Sequence, residues 1–210
     1  MAVAETTLAE PALPAEADLG VHPERRGPVQ AADFERLPQD PEHPMELIAG
    51  WVVAMSPIGL PSGLATSDLT ALLHPELGSR GWCLAADTRH RLARPPQTVA
   101  FPDLAVHCIS REELLAGGDT VTRTPELVIE ILGEETAERD RAPRGAKFLA
   151  YQLCGVEEYF YAWPDGREAS GFRLEKGAYG PLEADGEGFF ASRVLGARLR
   201  LVPAALEPEE

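Results

Sequence analysis

Two stretches of this chain are apolar at almost every position: DLAVHCI (residues 103–109) and ELVIEIL (residues 126–132). A strand with one face in water alternates apolar and polar residues, whereas these two scarcely alternate. Each therefore needs cover on both faces, which a β-sheet obtains from helices packed on either side. The fold class that follows is α/β: a mixed β-sheet flanked by helices. The second stretch also carries an acid, Glu130, among its apolar neighbours. An ionised carboxylate there is costly unless something compensates it. Three things could: a metal, a cationic side chain, or a place at the strand's exposed end.

The rest of the chain fits around these strands. Residues 33–37 start a short helix ended by Pro38, and 45–55 form two short strands turning at Ala49-Gly50. Pro57, Gly59, Pro61 and Gly63 define a loop. From Ser62 to Leu77, apolar residues recur at helical spacing. Trp82–Ala86 is a strand continuing toward Leu92, and Ala100–Cys108 is one strand. Ser110 caps a short helix whose first turn holds Glu112 and Glu113. Pro143 opens the helix bearing Lys147 and Tyr151, and Gly155 stops it. Glu157–Trp163 is a strand closed by the turn Pro164-Asp165-Gly166, and the remainder reads as an antiparallel C-terminal extension. The domain spans 29–206, between a disordered acidic arm (1–28) and an acidic tail (207–210).

Charge narrows the function classes. The net charge is −15; with the −3 at each end set aside, the body still carries −9. Phosphate affinity comes mainly from Lys and Arg, so so acidic a body is a poor generic nucleic-acid binder. Cys83, Cys108 and Cys154 lack CxxC spacing, which argues against a disulfide framework or a structural zinc and fits a reducing cytoplasm. No apolar run is long enough for a membrane span, and the first residues lack the basic-then-apolar order of a secretory signal. Gly-rich phosphate loops, a Ser nucleophile elbow and HExxH are absent from the sequence.

Asp103, Glu130 and Lys147 carry the candidate chemistry. Two carboxylates from neighbouring strands can share a hard divalent ion such as Mg²⁺ or Mn²⁺. A nearby ammonium can orient water or steady charge growing on a phosphate. Plainer roles exist for each residue. Asp103 can cap a loop, and Lys147 can be a solvated helix residue paired with Glu134 or Glu135. Glu46 reads as a surface strand acid, and Tyr151 as core with its hydroxyl reaching a partner. His107 reads as a hydrogen-bonded core histidine, and His90, among Arg89, Arg91 and Arg94, as part of a solvated basic hairpin face.

Pro102-Asp103-Leu104, the run PELVIEIL with Glu130, then Thr136, Asp140, Lys147, Tyr151, Gly155-Val156 and Glu158-Tyr159 resemble the signature of the Uma-two family. So do Glu46-Leu47-Ile48, Gly50 and Met55-Ser56-Pro57 upstream, and Ser192, Val194-Leu195-Gly196 and Leu199 downstream. The resemblance covers about residues 30–203. It implies a restriction-endonuclease-like fold of the PD-(D/E)xK type and a metal-dependent endonuclease hydrolysing DNA. Asp103, Glu130 and the backbone carbonyl of Ile131 would hold Mg²⁺ or Mn²⁺, with Glu46 and Tyr151 as accessory residues. Leu132 stands where such enzymes usually carry their lysine, and the resemblance points to Lys147 on the later helix instead. It also implies a homo-oligomer, a dimer first of all. Gly133-Glu134-Glu135 replaces the family's Ser-Pro-Ser loop. Those two acids leave a second reading open, a non-catalytic interaction or assembly protein that retains the fold.

Overall fold

The computed structural model of the protein describes residues 29–37, 44–55 and 58–208. The expected arm (1–28), Pro38, Ser56-Pro57 and the final two tail residues lie outside them. In chain order the elements are α1 (Ala31–Phe34), β1 (Met45–Ile48), β2 (Trp51–Ala54), α2 (Leu60–Ser79), β3 (Cys83–Ala86), β4 (His90–Arg91), β5 (Val99–Ala100), β6 (Leu104–His107) and α3 (Arg111–Leu115). Then come β7 (Leu127–Ile131), α4 (Ala137–Asp140), α5 (Ala146–Cys154), β8 (Glu158–Ala162), β9 (Ala169–Glu175), β10 (Ala178–Leu182), β11 (Phe190–Ser192), β12 (Ala197–Arg200) and β13 (Ala205–Pro208).

The central sheet runs β10-β9-β8-β7-β6-β3. Its one parallel pair is β7 with β8. Parallel neighbours need a crossover, and α5 is that crossover. The double cover expected of the apolar strands is present: every residue of β6, β7 and β8 is buried. Leu127, Ile129 and Ile131 pack on the Leu69, Leu73 and Leu77 stripe of α2, together with Leu199 of β12. Val128 and Leu132, on the opposite face, meet Phe148 and Tyr151 of α5 and Ile48 of β1. Glu130 lies between Val128 and Leu132, so the strand's period of two turns it toward α5. The antiparallel extension divides in two: β9 and β10 widen the central sheet, while β11-β12-β13 form their own.

Several boundaries differ from the sequence reading, each for a local reason. The apolar run 100–108 breaks into β5 and β6, which belong to different sheets. Pro102 stands between them with no N–H for a ladder. The run 82–92 breaks likewise into β3 and β4, with Asp87 at φ 45° between them. The loop expected through Gly63 is shorter, since α2 begins at Leu60. Pro61 sits in its first turn, where a missing N–H costs no helical bond. Pro143 precedes α5 instead of opening it, and the single turn α4 has too little apolar period to be read from sequence. Strand β13 runs through Glu207 and Pro208, the first two residues of the expected tail. The solvated hairpin expected around His90 is also corrected. His90 is wholly buried and its Nε2 lies 2.9 Å from Nε2 of His107, itself buried as expected.

Candidate active site

The register of β6 on β7 pairs Leu104 with Ile129. Carried one residue further, it sets Asp103 opposite Glu130 on the α5 face. Directly opposed residues of an antiparallel pair have Cβ atoms about 4.5–5.5 Å apart, and like charges there repel. One residue further again, Pro102 falls opposite Ile131 and offers no N–H to the Ile131 carbonyl. The Ile131 N–H is taken by the Asp103 side chain, donating to Oδ2 at 2.6 Å. A residue's N–H and C=O leave a strand on the same side, so the Ile131 carbonyl is directed toward Asp103 as well. The Pro-Asp pair thus ends the ladder and leaves a carboxylate beside a backbone oxygen.

The crossover helix supplies the counter-charge. Lys147 Nζ lies 2.9 Å from Glu130 Oε1 and 3.1 Å from Glu46 Oε1. One turn on, Tyr151 donates its hydroxyl to the same Glu130 Oε1 at 2.8 Å. Both partners take Oε1, so Glu130 Oε2 is engaged by neither. Glu46 Oε1 also accepts the Phe101 N–H at 2.8 Å. Arg139 binds Asp140 through Nε at 2.7 Å and Nη2 at 3.1 Å, and its Nη1 approaches Glu46 Oε2 at 3.1 Å. All these side chains open onto, or lie just beneath, a cleft of about 620 Å³ lined by Asp103, Glu130, Asp140 and Lys147. Its rim includes Glu134, Arg167 and Trp163.

Four acids (Glu46, Asp103, Glu130, Asp140) face two cations (Arg139, Lys147), more carboxyl groups than cations in a largely dehydrated place. Burial pushes the Asp103 carboxyl up to about 6, against the pull of Lys147 and the Ile131 N–H. Burial raises Glu130 too, opposed chiefly by Lys147. Burial works against the Lys147 ammonium, but Glu130, Glu46 and Asp140 outweigh it and hold it above its ordinary value, so it stays charged. Burial, with Glu130 beside it, keeps the Tyr151 phenol protonated and hence a donor.

The described residues hold no cluster of three or more His, Cys, Asp or Glu side chains placed to grip a metal. The donor set available is smaller: Asp103, Glu130 and the Ile131 carbonyl. It suits a hard, oxygen-seeking ion such as Mg²⁺, which binds through one or two carboxylates and retains several waters. Asp103 and Glu130, both raised by burial, are the carboxyls that a bound divalent ion would draw back to the ionised form.

The model of the Uma2 family, described as "Putative restriction endonuclease", matches residues 31–202. This chain belongs to the Uma2 family. Among solved structures, a "putative nuclease belonging to DUF820" from Anabaena variabilis ATCC 29413 superposes with a TM-score of 0.55 at 19% identity, covering 80% of this chain and 91% of its own. The shared architecture is restriction-endonuclease-like. No curated protein matches the chain. Among the described residues no helix is long and apolar enough to cross a membrane.

Within this Uma2 chain the structure brings Asp103, Glu130, Ile131, Lys147, Tyr151 and Glu46 together. Two readings change. Glu46 is fully buried, not a surface strand acid, because β1 packs against α5 and turns that acid inward. Lys147 is buried and pairs with Glu130 and Glu46, so it is not a solvated helix residue. Arg139 was missed altogether. It lies in a polar stretch, AERDR, whose composition is that of a solvated turn, and only its proximity in sequence to Asp140 hinted at a pair.

Proposed function

We propose that this protein is a metal-dependent endonuclease that hydrolyses phosphodiester bonds of DNA, with Asp103, Glu130 and the Ile131 carbonyl holding Mg²⁺ or Mn²⁺. The observation that carries the reading is the opposition of Asp103 and Glu130 across β6 and β7 at the cleft, beside the backbone of Ile131. When bound, the ion would polarise a phosphodiester oxygen and ease deprotonation of an attacking water. Lys147 stays protonated, so it serves as a fixed positive charge for the phosphate's developing negative charge and not as the base. By occupying Glu130 Oε1 together with Tyr151, it also turns Oε2 to the cleft. Arg139 pins Asp140 and Glu46 behind Lys147. Family membership supports the substrate class, and we take the protein to act in the cytoplasm as a homodimer. The exposed apolar Ile58, Leu60 and Leu64 beside the cleft favour a dimer; sedimentation at several concentrations reports it.

One observation favours the second reading, an assembly protein that has kept the fold. The cleft rim carries Asp87, Glu134, Glu135 and Asp165, which repel a phosphate backbone. Calorimetric titration with Mn²⁺ separates the two. A site lost in Glu130→Ala, together with plasmid nicking lost in Lys147→Ala of unchanged circular dichroism, upholds the enzyme. Absence of binding heat in the wild type removes the catalytic reading.

A further inference from the structure

Arg89 has no accounting in the site described so far. Its Nε is buried without a hydrogen-bond partner. Neither its guanidinium nitrogens nor Nε meet an acidic side chain among the described residues. Every other arginine among them either reaches an acceptor or is exposed; Arg94, Arg111 and Arg144, for example, lie in water. The Arg89 guanidinium rests 5.4 Å from the centroid of the Phe101 ring. A ring face offsets charge weakly and leaves the buried Nε–H without an acceptor, while the half-buried side chain keeps its terminal nitrogens open to solvent. A donor group withdrawn from water without a partner needs a reason, and in a chain of net charge −15 a cation that avoids every carboxylate needs one doubly.

Its position supplies the reason. Phe101, beneath it, lines the cleft, as does Asp87 two residues before it. The Asp87 N–H donates to the Asp103 backbone carbonyl at 3.2 Å, tying this loop to the proposed metal ligand. The cleft's own cations, Arg139, Lys147 and Arg167, are already neutralised by carboxylates. Arg89 lies outside the lining itself, behind Phe101, and is a cation next to this wall that no carboxylate among the described residues neutralises.

We infer that Arg89 is the residue with which the cleft grips a phosphate of the DNA strand next to the one being cleaved. The inference rests on the nucleic-acid reading above. A guanidinium fork matches two phosphate oxygens, and the Phe101 ring beside it limits where the fork can turn. It also answers the acidic rim: one pre-placed, unpaired fork offers attraction where the remaining surface repels.

The test is binding of a short fluorescein-labelled single strand of DNA, followed by anisotropy with Ca²⁺ as the divalent ion at several salt concentrations. Arg89→Met keeps the stem against Phe101 and deletes the donors. It should weaken binding about tenfold and lower the slope of log affinity against log salt by about 0.7, one lost phosphate contact on a single strand. Arg89→Lys, which keeps the charge and loses the fork, should fall between. Affinity and salt slope equal to wild type in Arg89→Met overturn the inference, as does a wild type that does not bind the strand. Should Arg89→Met lose its circular dichroism, Arg89→Lys decides: reduced affinity upholds the inference and unchanged affinity overturns it. The Mn²⁺ titration reads the metal site independently of either variant, so the two ideas fail separately.

Discussion

Acid should destabilise this protein through one buried pair, His90 and His107, well away from the carboxylates. His90 Nδ1 lies 2.6 Å from the Thr88 carbonyl and so carries the proton it donates there. Its Nε2 is then the acceptor for the Nε2–H of His107 at 2.9 Å, in rings whose planes differ by 2°. That leaves His107 Nδ1 as a buried lone pair with no partner. A further proton on either ring has no carboxylate to meet among the described residues. Burial pushes His90 down to about 4, and burial, His90 and Arg123 push His107 down to about 3. Unfolded histidines titrate near 6.5, so as pH falls below that value the unfolded chain binds protons that the folded chain refuses. Stability is intact above about pH 6.5 and is lost progressively toward about pH 4 for His90 and about pH 3 for His107. At about pH 5 each ring then costs about 2 kcal/mol and the pair about 4, a large part of a typical 5–15 kcal/mol. Urea unfolding near pH 7.5 and near pH 5, followed by tryptophan fluorescence, reads this against the double variant His90→Gln/His107→Gln. Wild type should lose about 4 kcal/mol more than the variant over that interval. Equal losses would refute the argument.

Three further outcomes follow from the packing around the cleft. Lys147→Met leaves Glu130 and Glu46 buried without their shared cation and should cost about 3–5 kcal/mol in urea unfolding; a loss below about 1 kcal/mol contradicts the ion pairs. Gly145→Ala places a Cβ 2.5 Å from the Arg141 carbonyl oxygen, at the residue before α5 begins. It should destabilise by about 1–3 kcal/mol and weaken Mn²⁺ binding by shifting Lys147, whereas a variant as stable as wild type argues against that close approach. Tyr151→Phe deletes one hydrogen bond to a buried carboxylate and should cost about 1.5–3 kcal/mol, checked by thermal unfolding with and without Mn²⁺.

The unalternating runs around Val106 and Ile129 made the doubly covered sheet readable in advance, because burial on both faces leaves a composition that no turn or surface strand shows. Glu130 was conspicuous for the same reason: one charge among apolar neighbours stands out without any knowledge of its partner. The capping box of α3 is likewise local, with Ser110 and Glu113 bonding each other's backbone N–H three residues apart. His107 was readable as a core histidine from its apolar strand, but its partner His90, the burial of Glu46 and the role of Arg139 were not legible. Each of these three looks like an ordinary polar residue in its own window, and each is buried by an element distant in the chain.

What the amino-acid order determined by itself was therefore the layering, the two-residue period that puts Glu130 on one face of β7, and the 3.6-residue period that stacks Tyr151 over Lys147. Which charges meet was decided only in three dimensions. The parallel step from β7 to β8 sends α5 back across the Glu130 face, and the packing of β1 against α5 brings Glu46 under Lys147. Periodicity is a property of neighbouring residues, but an ion pair depends on where the chain returns, and that is set by how the layers close over one another.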